Sequence, residues 1–264
     1  MPQPLIDLPP DQIHLWLAFD REIRDEALLE HYRRELLTEE ERRKEKRYYF
    51  ARHQHQYLVT RALTRTILSR YADVAPADWR FAKNKHDRPL IANDHPDARS
   101  FSFNISHTPG LVVLAVSRHA SLGIDVENVS EREAPLEIAN RFFSPVETAD
   151  LYALPAHEQP ERFFHYWTLK ESYIKARSMG LAIPLDQFSF TFPGNDDIRI
   201  GFHEKIHDTP DSWCFWLFKP TEEHRLTICA NRTQKAPERI VMRKTVPLEE
   251  NTPFACTLLR GTPL

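Results

Sequence analysis

Three pairs of local signals recur along the chain at nearly one spacing. Asp20 closes a strand-like stretch, as Asp125 falls within a later one. Thr38-Glu39-Glu40-Glu41 opens a helix, as Ser144-Pro145-Val146-Glu147 does. Pro76-Ala77-Asp78-Trp79 precedes a strand, as Pro184-Leu185-Asp186-Gln187-Phe188 does. The offsets are 105, 106 and 108 residues. A Ser or Thr followed three residues later by Glu marks a capped helix start, so the second pair carries a physical mechanism. A repeat on this scale predicts an α+β chain of two similar α/β halves related by a pseudo-two-fold, with the active site in the cleft between them. The halves are expected at 1–120 and 121–232, the second holding an acidic metal site. A C-terminal tail, 233–264, has little periodicity and reads as extended or mobile. Asp20 would be the twin of Asp125.

The periodicity fills in the elements. Ile13 to Phe19 reads as a strand, and Arg21 to Arg70 as mostly helical, with Tyr57, Leu58, Ala62, Leu63 and Ile67 on one face. Short strands are expected at Trp79–Phe81 and Ser100–Ile105. Leu111–Ser117 and Leu122–Val126 read as a hairpin of buried strands. Helices follow over 133–142, 145–153 and 160–179, and strands over 187–230.

Composition narrows the function classes. A net charge of −3 and a pI near 6.5 argue against a nucleic-acid partner. The apolar run from Leu111 to Val116 is too short to span a bilayer, so no membrane partner is expected. Three cysteines without a C-x-x-C pair fit a reducing compartment. Met1-Pro2-Gln3-Pro4-Leu5 has no basic region ahead of an apolar stretch, and the chain reads as cytoplasmic. With only six glycines and neither G-x-G-x-x-G nor a Walker A loop, phosphates would have to be held by side chains and a metal.

Two short motifs supply such groups. In Gly123-Ile124-Asp125-Val126-Glu127, residues two apart share a strand face, so Asp125 and Glu127 point together. In Trp167-Thr168-Leu169-Lys170-Glu171-Ser172-Tyr173-Ile174-Lys175, Glu171 and Lys175 share a helix face. Three carboxylates and a lysine make a hard-oxygen site that suits Mg²⁺ and a phosphorylated substrate. Asp125 lies among apolar neighbours, where an unpaired carboxylate is costly. Asn104-Ile105-Ser106-His107 ends a strand at the Thr108-Pro109-Gly110 turn and places Ser106 and His107 where a phosphate could be held. Arg88 before Pro89, and the basic run that includes Arg42, are further cations able to meet a phosphate.

Taken together and in this order, Asn104–His107, Gly123–Glu127 and Phe164–Lys175 resemble the signature motifs of the 4′-phosphopantetheinyl transferases, in their large, pseudo-dimeric type. The resemblance implies transfer of the 4′-phosphopantetheine arm of coenzyme A to a serine of an acyl or peptidyl carrier protein, with release of 3′,5′-ADP. It implies that Asp125, Glu127 and Glu171 hold Mg²⁺ against the pyrophosphate. Glu171 would also serve as the base, directly or through a water, and Lys175 would offset phosphate charge. Ser106, His107, Arg88 and Arg42 would contact the nucleotide and its phosphates. A carrier would dock near 136–160, where Phe142, Phe143 and Leu151 are apolar candidates and Arg141 a steering cation. One chain supplying both halves would act as a monomer. The sequence departs from the family pattern at Asp87-Arg88-Pro89, where Gly-Lys-Pro is common, at Ser178, the first of two usual glycines, and at Gln56, where a basic residue is sometimes found.

Two rival readings remain. A non-catalytic coenzyme A or carrier-protein binding module would keep the cations but could dispense with the acids. His203-Glu204-Lys205-Ile206-His207 matches the H-E-x-x-H pattern of zinc hydrolases, which requires a helix. Here it lies between strand-like Ile198–Phe202 and Thr209-Pro210.

Overall fold

A computed structural model describes residues 5–119, 121–131, 133–232, 237, 239–249 and 251–263. Met1–Pro4 and the boundary residues 120 and 233 of the sequence reading lie outside them. The chain forms two compact units. The first contains residues 1–83, 89–118 and 239–254. The second contains residues 84–88, 119–238 and 255–264.

In the first unit, β1 (Gln12–Ala18) precedes α1 (Glu26–His31), α2 (Glu39–Lys46) and α3 (Ala51–Leu68). The hairpin strands β2 (Phe81–Lys83) and β3 (Pro89–Ile91) follow, then β4 (Ser102–Thr108) and β5 (Leu111–Ser117). β1 is mostly apolar and, from Ile13 on, buried on both faces, as expected of an interior strand. It pairs antiparallel with β5, which pairs with β4. The buried face of α3 carries Leu58, Val59, Ala62, Leu63 and Ile67 and shares a core with Trp16, Ala18, Val112, Leu114 and Val116.

The second unit runs through β6 (Leu122–Asn128), α4 (Ala139–Phe142), α5 (Pro145–Ala153), α6 (Gln159–Arg177), β7 (Phe188–Thr191), β8 (Arg199–Phe202), β9 (Trp213–Thr221) and β10 (His224–Asn231). Its sheet places β10 between β6 and β9, all antiparallel. This repeats the first unit: strand, capped short helix, long helix, hairpin, then two strands of which the last lies beside the first.

The repeated signals are physically linked. Thr38 and Ser144 each form a reciprocal capping box with the Glu three residues on, Glu41 and Glu147. Each Glu then receives a buried cation from the long helix. Arg65 donates to Glu41 at 2.9 Å and to the carbonyls of Pro76 and Trp79. Lys170 lies 2.8 Å from Glu147 and donates to the carbonyls of Leu185 and Phe188. Capped helix, long helix and proline turn are thereby bolted together in both units.

The Asp20–Asp125 pairing is corrected by strand register. Counted from the turns Thr108↔Leu111 and Thr221↔His224, Leu114 and Thr227 are equivalent; they face Trp16 and Asp125. The counterpart of Asp125 is therefore Trp16, and Asp20 sits past the strand in a single helical turn. The offset is 105 to 106 between helices (Arg65 to Lys170, Thr38 to Ser144) but 109 between strands (Trp16 to Asp125).

Other expectations also change. Leu111–Ser117 and Leu122–Val126 do not form a hairpin. β5 has both edges taken by β1 and β4, and β6 pairs with β10 in the other sheet. The helix expected over 133–142 shrinks to a turn at Leu136–Ile138 and the four residues of α4, since Pro135 interrupts it. The stretch after Arg232 contributes β11 (Arg239–Thr245), parallel to β1, then β12 (Asn251–Pro253), and β13 (Thr257–Gly261) beside β9. No helix among the described residues is long and apolar enough to cross a membrane.

Candidate active site

Alternation along β6 sends Gly123, Asp125 and Glu127 to the face covered by α6. Gly123 fixes how closely the helix approaches. A Cβ there would stand 2.0 Å from the Ser172 carbonyl oxygen and 2.4 Å from the Ala176 amide nitrogen. Only a residue without a side chain admits this contact. Ser172 lies between Glu171 and Lys175, so the same contact brings both beside Asp125.

Lys175 Nζ donates to Asp125 Oδ1 at 2.7 Å. Asp125 is buried, Glu127 half-buried. Burial raises the pKa of Glu171, the Asp125 carboxylate raises it further, and Lys175 opposes both. Across the sheet Asp125 faces Thr227, whose hydroxyl donates to Thr168 at 2.9 Å. Glu127 faces Arg225, which holds Glu161 with two bonds of 2.5 and 2.8 Å. A rigid, partly desolvated wall therefore backs the acids.

Among the described residues, no group of three or more His, Cys, Asp or Glu side chains is arranged to hold a metal. That does not conflict with Mg²⁺, which is usually held by one or two carboxylates, water and substrate phosphates rather than by an all-protein cage. Asp125 and Glu171 are hard oxygen donors of the kind Mg²⁺ takes, and the Lys175 ammonium that donates to Asp125 at 2.7 Å is a cation beside them.

The remaining expected residues are placed as follows. Ser106 is buried and His107 exposed at the end of β4, in the first unit. Gln56 donates to the neighbouring Thr108 carbonyl at 2.8 Å, so this departure from the family pattern braces the strand end. Arg42 on α2 donates to the carbonyls of Leu37 (2.7 Å) and Arg33 (3.1 Å) and to Glu39. Arg88 is buried in the second unit, donating to the carbonyls of Lys175 (2.8 Å) and Leu122 (3.1 Å) and to the Ser178 hydroxyl.

Phe143 and Leu151 are in the core, where β-strand and helix side chains enclose them, so neither offers a docking contact. Val146 and Tyr152 are the large apolar residues exposed in that stretch, near exposed Arg141. Phe163 and Phe164 are core residues, and Trp167 stacks on Phe163 at 5.9 Å. His203 and His207 lie on a turn after β8, not on a helix, so they lack the shared helical face that a zinc-hydrolase site needs. The clamps Glu41–Arg65 and Glu147–Lys170 escaped the sequence reading. The signal for them was a cation at nearly the same distance after each capping glutamate, 24 residues for Arg65 and 23 for Lys170.

Residues 121–229 match the family model described as the 4′-phosphopantetheinyl transferase superfamily, and residues 29–119 match that of the 4′-phosphopantetheinyl transferase N-terminal domain. The 4′-phosphopantetheinyl transferase Sfp of Bacillus subtilis is 34% identical over 197 residues, covering 74% of this chain and 81% of the relative. The 4′-phosphopantetheinyl transferase HetI of Nostoc sp. is 32% identical over 180 residues, 68% and 74% of the two chains. A phosphopantetheinyl transferase of Thraustochytrium sp. is 27% identical over 213 residues, 74% and 72%.

Proposed function

The chain belongs to the 4′-phosphopantetheinyl transferases, and on that premise we propose that Asp125, Glu171 and Lys175 form the reacting centre of its transfer reaction. The enzyme moves the phosphopantetheine group to a carrier protein, with coenzyme A as donor. The observation that carries the reading is the partly buried Lys175–Asp125 pair at 2.7 Å, beside a Glu171 whose pKa is raised.

A carrier serine hydroxyl attacks the β-phosphorus of coenzyme A. The new Ser Oγ–P bond forms as the bond from that phosphorus to the bridging oxygen breaks, and 3′,5′-ADP leaves with the electron pair. Glu171 takes the serine proton, directly or through a water. A carboxylate whose pKa is raised by burial is a stronger base than one in water. Lys175 lies where it can offset charge on the pyrophosphate. Mg²⁺, if held by Asp125 and Glu171, two of the three acids expected to bind it, would supply further neutralisation of phosphate charge. Such transfer needs position and electrostatics more than covalent help from the protein.

Ser106, His107 and Arg42 are the proposed nucleotide contacts in the first unit. This reading needs a cleft between two halves related by a pseudo-two-fold, and it makes one chain, acting as a monomer, sufficient. Domain limits near 120 and 232 are part of the same proposal. Val146, Tyr152 and Arg141 are the proposed carrier-docking residues, suited to an acidic carrier. The free cysteines Cys214, Cys229 and Cys256 suit work in the cytoplasm.

Intact mass of an apo carrier, incubated with the enzyme, coenzyme A and Mg²⁺, tests the reading. A gain of about 340 Da that EDTA abolishes is expected of metal-dependent transfer of the arm. Coenzyme A binding with no gain on any carrier would overturn it in favour of a binding module.

A further inference from the structure

The two places where this chain lacks the glycines usual in its family meet each other. Asp87 (φ 64°) and Ser178 (φ 56°) both adopt the left-handed conformation that suits glycine. A non-glycine residue there is strained, so each needs support from its surroundings. That support is a short loop clamped on the end of α6. The Asn84 side chain accepts from the amides of His86 (2.8 Å) and Arg88 (3.0 Å) and donates to the Ser178 carbonyl (3.0 Å).

Arg88 completes the clamp. Its guanidinium donates to the Ser178 hydroxyl and, at 2.8 Å, to the carbonyl of Lys175 in the last turn of α6. A third bond, 3.1 Å, goes to the carbonyl of Leu122, the first residue of β6. A cation is favoured at a helix C-terminus, where carbonyls lack helical partners. Here it joins that terminus to the strand bearing Asp125. One buried guanidinium thus bonds Lys175 itself and the first residue of the strand that carries Asp125 three residues on. Burial also lowers the Arg88 pKa, and its Nε is enclosed with no hydrogen-bond partner among the described residues. A phosphate-binding arginine keeps its planar fork free for two parallel bonds to the anion.

We infer that Arg88, with Ser178, is a positioning residue that sets the height of Lys175 against Asp125, rather than a ligand of a coenzyme A phosphate. The inference rests on Asp125, Glu171 and Lys175 being the reacting centre.

The test compares Arg88→Met, Arg88→Lys and Ser178→Ala with wild type. It measures saturating turnover and, by calorimetry, the Kd values of coenzyme A and 3′-dephospho-coenzyme A. Turnover of Arg88→Met is expected to fall roughly ten- to a hundredfold, the scale of a small misplacement of reacting groups. Both Kd values should stay within about threefold of wild type, and their ratio should not change. Arg88→Lys should remain slow, because one ammonium cannot span both carbonyls, and Ser178→Ala should lose turnover more modestly. If Arg88→Met does not melt cooperatively, Arg88→Lys and Ser178→Ala carry the test. Three results overturn the inference: tenfold weaker coenzyme A binding at normal turnover, full rescue by lysine, or wild-type values throughout. A wild-type enzyme that transfers nothing would instead sink the functional reading itself.

Discussion

The two units share a topology and a clamp, yet only one carries the acids. Where the second unit has Gly123, Asp125 and Glu127 under its long helix, strand register gives the first His14, Trp16 and Ala18. The helix positions of Glu171 and Lys175 correspond, at the Arg65–Lys170 spacing, to Thr66 and Arg70. Trp16 is fully buried and donates to Tyr71 at 2.9 Å, while Thr66 bonds back to the Ala62 carbonyl. The first unit thus fills with aromatic packing the space that the second gives to charge. One framework tolerates both because its clamp, Glu–cation–carbonyl, lies elsewhere on the long helix. Buried like charges are unfavourable, so their presence under the long helix of one unit alone supports the proposal that it carries the chemistry.

The largest test of that asymmetry is Glu171→Gln. Saturating transfer should fall by about a thousandfold, within the range for loss of a general base. Stability should move the opposite way. A carboxyl whose pKa is raised on folding adds stability below its unfolded value of 4.5, and that stability is lost as pH rises through the folded value. At neutral pH the wild type therefore carries a buried charge that the amide removes. Thermal melting should show Glu171→Gln above wild type at neutral pH, with the gap closing in acid. Lower stability at neutral pH, or retained transfer, would contradict the placement of Glu171. Because Mg²⁺ needs the ionised carboxylate, its apparent affinity for wild type should also rise with pH.

The next test addresses the helix-to-strand contact. Gly123→Ala places a Cβ against backbone atoms of Ser172 and Ala176, which cannot turn aside as a side chain can. Overpacking of this kind costs about 3 kcal/mol, and a shifted α6 should lower turnover roughly a hundredfold. In the first unit, the corresponding strand position accommodates a full imidazole, His14, bonded to Tyr71 at 2.8 Å. His14→Ala should therefore change stability without moving the Mg²⁺ requirement. Wild-type melting and turnover for Gly123→Ala would show that the helix does not need this approach.

What could be read from the sequence was local. Strand alternation put Asp125 and Glu127 on one face, helical spacing put Glu171 beside Lys175, and the two Ser/Thr-x-x-Glu boxes formed as expected. What could not be read depends on distant partners. The hairpin expected of β5 and β6 gave way because each found a strand more than a local turn away. β11 has little pattern of its own, and exists by pairing in parallel with β1 across the length of the chain. Phe143 and Leu151 look like surface candidates until the helices around them close. Arg88 reads as a free cation because nothing in its neighbourhood announces the α6 terminus that it meets.

The smallest expected effect separates the two kinds of repeat. Asp20 stands 105 residues before Asp125, and sequence spacing alone would make it a second acid of the same kind. It is buried, and burial raises its pKa against the opposing charges of His55 and Arg21. One carboxylate oxygen has no hydrogen-bond partner among the described residues, and the other accepts from Gln56 at a long 3.4 Å. By the same sign as for Glu171, its ionised form opposes folding at neutral pH. Asp20→Asn should therefore melt about 2 °C higher there, the shift that about 1 kcal/mol produces in a chain of this size, and no higher in acid. Transfer and the Mg²⁺ midpoint should not move, since register gives the strand position of Asp125 to Trp16. A tenfold shift in the Mg²⁺ midpoint on Asp20→Asn would reverse this conclusion and restore Asp20 as the chemical twin of Asp125.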